Sequence, residues 1–151
     1  MLTRRDCLVA LLAVVGTMAT VAWAQTEAEP PLRSASYSWD EMVVEDTPTG
    51  EKRNVIRAST ATLDQLTCHI TTVEAGKASH APHSHPEEEL IIVKEGTLES
   101  LQNDKVTRVG PGSILFEASG EHHGLRNVGT TPATYYVIKW WPPGMLEKAE
   151  P

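Results

Sequence analysis

The 151-residue sequence predicts an all-β domain, a sandwich or barrel. Three observations predict it. Short β-prone runs recur at close spacing, separated by Gly, Pro, Asn and Asp. Almost no helical periodicity interrupts them. No internal repeat is present, and the length suits one barrel rather than two.

The elements follow in order. Tyr37–Val44 and Arg53–Arg57 read as edge strands. Leu66–Val73 alternates apolar and polar residues, with Leu66, Cys68 and Ile70 on one parity. Glu89–Val93 is a strand. Gly96-Thr97 turns into Leu98–Leu101, and Asn103-Asp104 is a hairpin turn before Val106–Val109. Gly110-Pro111-Gly112 leads into Ser113–Phe116. His122–Asn127 and Thr134–Trp141 complete the series. On the last strand Lys139 is expected to face water, with Tyr135, Val137 and Trp141 on its face. Tyr136, Ile138 and Trp140 then point into the barrel, where Tyr136 could donate a hydrogen bond to a bound molecule. The outer row of Tyr135, Val137 and Trp141 is apolar for a solvent face and suggests a homodimer contact.

The first residues stand apart. Arg4-Arg5 is followed by an uncharged run, Leu8–Val21, and by Ala22-Trp23-Ala24, a pattern signal peptidase accepts. Residues 1–24 therefore read as an export signal, and the apolar run is short for a membrane span. Thr3-Arg4-Arg5-Asp6-Cys7-Leu8 resembles a twin-arginine signal in part, so twin-arginine and general secretory export both stay open. Residues 25–36, with Pro30-Pro31, read as a mobile leader, and 37–147 as the domain. A periplasmic or secreted protein follows, without stable membrane association after cleavage. Losing Arg4, Arg5 and Asp6 shifts the net charge from −7 to −8. No basic cluster exists to neutralise phosphates, which argues against nucleic acid as a partner. Cys7 leaves with the signal, so Cys68 has no partner for an internal disulfide and reads as a buried thiol.

The segment Gly76–Glu89 carries the chemistry. His83 and His85 lie at i and i+2, so on a strand both imidazoles point the same way. Pro86 breaks the ladder, and the chain re-enters a strand near Glu88. Glu89 shares a face with Ile91 and Val93, which would carry its carboxylate into the core. A buried carboxylate needs a charge partner, and a metal held by histidines is one. A further ligand is offered by His122 or His123, which face opposite sides of a strand. Spacing does not choose between them.

These residues resemble the two motifs of the cupin superfamily. Gly76, His83, His85, Glu89 and Gly96 match the first, with one extra residue after Gly76. Gly112, Gly120, His123 and Asn127 match the second, with Ala118 where proline is usual. The resemblance implies a single jelly-roll β-barrel of the small one-domain cupin type. It implies a metal site of His83, His85, Glu89 and His123, with His122 outside. Such sites usually hold Mn or Fe, while the donor set also admits Zn, Ni or Cu.

Glu87 and Glu88, beside Glu89, could support the site or act as a catalytic base, although a solvated acidic turn is the plainer reading. His80 reads as an exposed loop residue. Arg53, Arg57 and Arg126 read as surface arginines, and they are the cations to meet an anionic substrate if there is one. Two functions fit: a metal-dependent enzyme on a small molecule, dioxygenase- or isomerase-like, or a non-enzymatic periplasmic protein that binds metal or a small ligand. Fold does not choose the chemistry.

Overall fold

The computed structural model describes residues 29–146. The segment 1–24, expected to be an export signal, and the chain after Leu146 lie outside them. Nine strands form among the described residues: β1 (Glu45–Thr47), β2 (Gly50–Ala58), β3 (Gln65–Val73), β4 (Glu88–Glu95), β5 (Leu98–Gln102), β6 (Lys105–Val109), β7 (Ile114–Glu117), β8 (His123–Asn127) and β9 (Ala133–Trp141). They make a six-stranded sheet in the order β1-β2-β3-β9-β4-β7 and a three-stranded sheet in the order β6-β5-β8. All pairs are antiparallel, and the two sheets close on each other as a jelly roll. No described helix is long and apolar enough to cross a membrane.

The expected strands from Leu66 onward are all present. Asn103 and Asp104 both take positive φ, 47° and 66°, the conformation a two-residue hairpin needs between β5 and β6. The first expected strand is not there. Tyr37–Val44 holds instead a short 3₁₀ turn, Trp39–Glu41. The Trp39 ring lies 4.5 Å from the Arg53 guanidinium carbon and 3.5 Å from Lys94 Nζ, so it spans the outer face between β2 and β4. Ile70 and Tyr136 lie on the row that runs from Arg53 across to Ile92. Before this, the leader already touches the barrel at Leu32, whose N–H donates to Ser59.

The core lies between the sheets. Val73, Ile91, Val93, Leu98, Leu115, Leu125, Ala133, Tyr135 and Val137 form one buried cluster. Its membership reverses the expected parity of β9. Tyr135 and Val137 are inside, at 3% and 5% exposure, and Lys139 shares their face. Tyr136, Ile138 and Trp140 face outward: Trp140 stacks on exposed Phe116 and donates from Nε1 to Glu88 Oε2. Lys139 can point inward because two carboxylates wait for it there. The row that suggested a dimer contact is thus interior. The same inversion applies to β3, where His69, Thr71 and Val73 run along the inner face opposite Val137, Tyr135 and Ala133. Cys68 is on the outer parity and only half-buried.

Two motif residues act as joints. Gly96 has φ of +90°, and a Cβ there would stand 2.4 Å from the Ala133 Cβ, so only glycine fits between β4 and β5. Asn127 is wholly buried. Its Nδ2 donates to Val73 O (2.9 Å) and Thr131 O (2.8 Å), and its Oδ1 accepts from Gly129 N–H (2.9 Å). Asn127→Ala strands these backbone groups in the core. Urea unfolding is expected to show a loss of about 3 kcal/mol, and a loss below about 1 kcal/mol would mean that water replaces the side chain.

Candidate metal centre

The loop before β4 is fastened alongside β8. His83 and His123 exchange both backbone hydrogen bonds at 2.9 Å. Gly120 N–H donates to His85 O, and Ser119 Oγ donates to Pro86 O at 2.6 Å. A side chain added at Gly124 would press on Pro82 at 3.0 Å, so the absence of one lets the loop lie close on the strand. This zipper brings His83, His85 and His123 together: one ligand atom from each lies within 4.8 Å of the others.

The rings are oriented by carbonyls. His85 Nδ1 is 2.8 Å from Glu87 O, and His123 Nδ1 is 2.9 Å from Glu121 O. A carbonyl only accepts, so each Nδ1 carries the proton and each Nε2 keeps a lone pair. His85 Nε2 and His123 Nε2 are buried without a hydrogen-bond partner, as is His83 Nδ1. Leaving three such nitrogens unmatched is costly in a protein interior. A cation at their meeting point removes that cost, and imidazole held by an outer acceptor is the usual form of a metal ligand. The residues present fit a divalent transition metal. Burial, followed by the neighbouring His80, His123 and His85, holds the His83 pKa below its usual value and favours the neutral, ligating form.

Glu89 is buried beside this trio but outside the group of mutually close ligand atoms. Its Oε2 is 3.4 Å from His85 Nε2 and 3.2 Å from Lys139 Nζ. Lys139 also donates to Glu87 Oε1 at 3.2 Å. Three of the four expected ligands are therefore brought together, and the fourth stands at the rim, held by a lysine. Glu87 is not a solvated turn residue: it is 8% exposed, paired with Lys139, and its carbonyl orients His85. His122 is exposed and immediately precedes β8.

A cavity of about 350 Å³ opens beside the histidines. His83, His123, Glu89 and Lys139 border it, while Glu87, Glu88 and Tyr136 do not. Three further cavity residues escaped sequence reasoning: His69, Glu117 and Lys52. Glu117 lies across the ladder from Glu89 and is 3% exposed. Burial pushes its carboxyl up, against a hydrogen bond of 3.0 Å from Gln102 Nε2 to Oε2. Its parity with Leu115 was the available signal. Burial, with Lys52 next, lowers His69 to about 4. Tyr135, not Tyr136, offers a hydroxyl at this wall, donating to Ser79 Oγ at 3.1 Å.

Comparison with known proteins agrees with this architecture. Residues 69–139 match the family model described as the cupin domain. Residues 69–139 are a cupin domain. Solved structures share the fold at low identity. An RmlC-like cupin from Shewanella frigidimarina is 15% identical, covering 74% of this chain and 95% of its own, with a TM-score of 0.59. The polyketide cyclase RemF from Streptomyces resistomycificus is 20% identical over 74% of this chain and 82% of its own, with a TM-score of 0.58. A predicted oxalate decarboxylase from Thermotoga maritima is 18% identical over 71% and 99%, with a TM-score of 0.57. No curated protein matches the chain.

Two outcomes test this cupin's interior. Lys139→Met leaves Glu87 and Glu89 buried without their cation. The metal-free variant is expected to lose about 3 kcal/mol at neutral pH, and saturating divalent metal to raise its melting temperature more than the wild type's. Equal metal-induced shifts would show that Lys139 and the metal site are independent. His69 is neutral in the folded state and protonates more easily when unfolded. Its contribution is therefore present above pH 6.5 and lost as pH falls from 6.5 towards about 4. In His69→Gln that part of the acid slope, on the order of 1–3 kcal/mol, should be absent from unfolding curves.

Proposed function

We propose that this cupin is an exported, metal-dependent enzyme acting on a small molecule, of the dioxygenase or isomerase kind. The observation that carries the reading is the convergence of three buried imidazole nitrogens without hydrogen-bond partners, with His83 and His123 on the edge of a 350 Å³ cavity. A purely structural site would have no need of a cavity of small-molecule size beside it. His83, His85 and His123 would hold the ion, with Glu89 within reach of it; the resemblance to other cupin sites favours Mn or Fe, and the donor set also admits Zn, Ni or Cu.

When bound, the ion would polarise an oxygen of a chelating substrate. The chain's own residues supply the rest. The Glu87 and Glu121 carbonyls keep the protons of His85 and His123 on Nδ1. Lys139 fixes the Glu89 carboxylate. Glu117, its Oε2 engaged by Gln102, can hold a proton on Oε1 more readily than an exposed carboxyl does. The apolar side chains of Ile91, Leu125 and Val137 line the same cavity and exclude water from part of it. The basic, apolar and small-residue order of residues 1–24 supports export.

Elemental analysis of the protein purified from its own host compartment tests the reading. About one Mn or Fe per chain is expected, and none in His83→Ala/His123→Ala. Activity on a panel of chelating substrates, with and without dioxygen, should fall in His123→Ala by more than the roughly 10–100-fold typical of losing an outer partner. A wild-type protein without stoichiometric metal would sink the proposal.

A further inference from the structure

Charge in the cavity is divided between its walls. Along the inner face, Lys139, Glu89 and Glu117 form one cross-strand row over β9, β4 and β7. Lys52 stands at the other side, on β2, in the row that continues through Thr71 and Tyr135. Lys139 is neutralised by Glu87 and Glu89. Lys52 is not: among the described residues no carboxylate forms an ion pair with it. Glu45, its ladder neighbour on β1, accepts instead from Asn54 Nδ2 at 2.9 Å. His69, on the adjacent strand, is held neutral at pH 7 by burial and by Lys52 itself. Lys52 is therefore the one cation of this cavity, among the described residues, without a protein counter-charge.

A second cavity, of about 610 Å³, lies against the same partition. Lys52, His69 and Lys139 line both spaces, and the outer one adds Arg57. Its cations outnumber its single carboxylate, Glu87. The approach to the partition is thus locally positive in a chain of net charge −7.

We propose that the cavity binds a small hydroxylated carboxylate, with its acid group on Lys52 and its hydroxyl groups toward Glu89, Glu117 and the histidines. The inference deepens the enzyme reading by naming the substrate class, and it rests on that reading for the metal. The polarity of the walls sets the orientation. An anion turned the other way would meet Glu89 and Glu117, whereas hydroxyl groups can donate to carboxylates and also ligate a metal. Lys52 and Glu89 are carried by strands three spacings apart, about 14 Å across the sheet, and by rows four residues apart, about 13 Å along it. Both nevertheless border the same cavity, with His69 between them, and the long lysine side chain shortens the span that a bound molecule has to bridge. Arg53 and Arg126 do not serve this purpose: Arg53 lies by Trp39 on the outer face, and Arg126 is exposed on β8.

The test compares lactate and gluconate with lactamide and gluconamide, by calorimetry, on the full mature chain, both metal-loaded and stripped with chelator. The amides keep the hydroxyl groups and lose only the charge. Each acid should bind about tenfold tighter than its amide in the wild type, the ratio expected of one charge-assisted hydrogen bond. Lys52→Met should erase the ratio and Lys52→Arg should keep it, with metal content and melting temperature unchanged in both. The ratio should survive metal removal while overall affinity falls. Equal binding of acid and amide, no binding of either acid, or a ratio untouched by Lys52→Met would overturn the proposal. Discrimination by Lys52 in a chain that never takes up metal would instead leave the anion site standing and remove the enzyme reading.

Discussion

Lys139 and Glu89 stand directly opposite on the β9–β4 ladder, both pointing into the barrel. Much of the molecule depends on that pairing. Glu89 is almost fully buried beside Ile91 and next to a second buried carboxylate, Glu117. Two adjacent carboxylates in an apolar interior repel each other and lose their hydration. The row tolerates them because each is treated differently: Glu89 receives a lysine, and Glu117 receives an amide hydrogen bond and a raised proton affinity. The same lysine also fixes Glu87, whose backbone carbonyl sets the tautomer of His85. One side chain thereby links the ion pairs of the floor to the orientation of a metal-binding ring.

The histidines are placed by a second, independent device. No regular strand carries His83 and His85. Backbone bonds from β8 and from the turn before it hold their loop in an extended form. That zipper packs Pro82 closely against Gly124, and it ends at Pro86, which lacks an N–H and lets the chain swing into β4. The site is thus assembled between the two sheets, with His123 from the small sheet and Glu89 from the large one. The relative position of the sheets is in turn secured by Asn127, which ties the end of β8 to the end of β3. Stability and site geometry share these joints, so damage to them should blur the site as well as weaken the fold.

Much of this was legible in the sequence, and the failures have a common cause. Turn residues and β-prone runs located seven later strands, because glycine, proline and the Asn103-Asp104 pair act locally. The histidines were legible because spacing on an extended segment fixes their direction. The direction of β9 was not. Lys139 was read as a water-facing residue, which is the ordinary fate of lysine, and the whole strand turned over with it. Its partners are 50 and 52 residues earlier in the chain, and no local pattern announces them. The same error hid His69 on β3 and exchanged Tyr135 for Tyr136. Trp39 was misplaced for a similar reason: its fit between Arg53 and Lys94 is a contact across strands, and alternation over Tyr37–Val44 could not foretell a 3₁₀ turn.

The inverted lysine also explains why a different lysine matters. With Lys139 exposed, the barrel would hold unpaired carboxylates, and a metal would be the only charge able to balance them. With Lys139 inside, Glu87 and Glu89 share one cation, which leaves a single negative charge before any metal arrives, and the three histidines bring no charge of their own. A divalent ion would then leave the site with about one net positive charge, and Lys52 adds a further one on the opposite wall. Coulomb energies grow as the dielectric falls, so a partly dry cavity with this distribution draws anions and rejects cations. Glu117 limits where the negative charge can settle, since an anion beside it pays repulsion unless a proton intervenes. The positive ends of the cavity and its carboxylate wall together select a molecule by where its charge lies, and they do so through residues outside the histidine motif that marks the family.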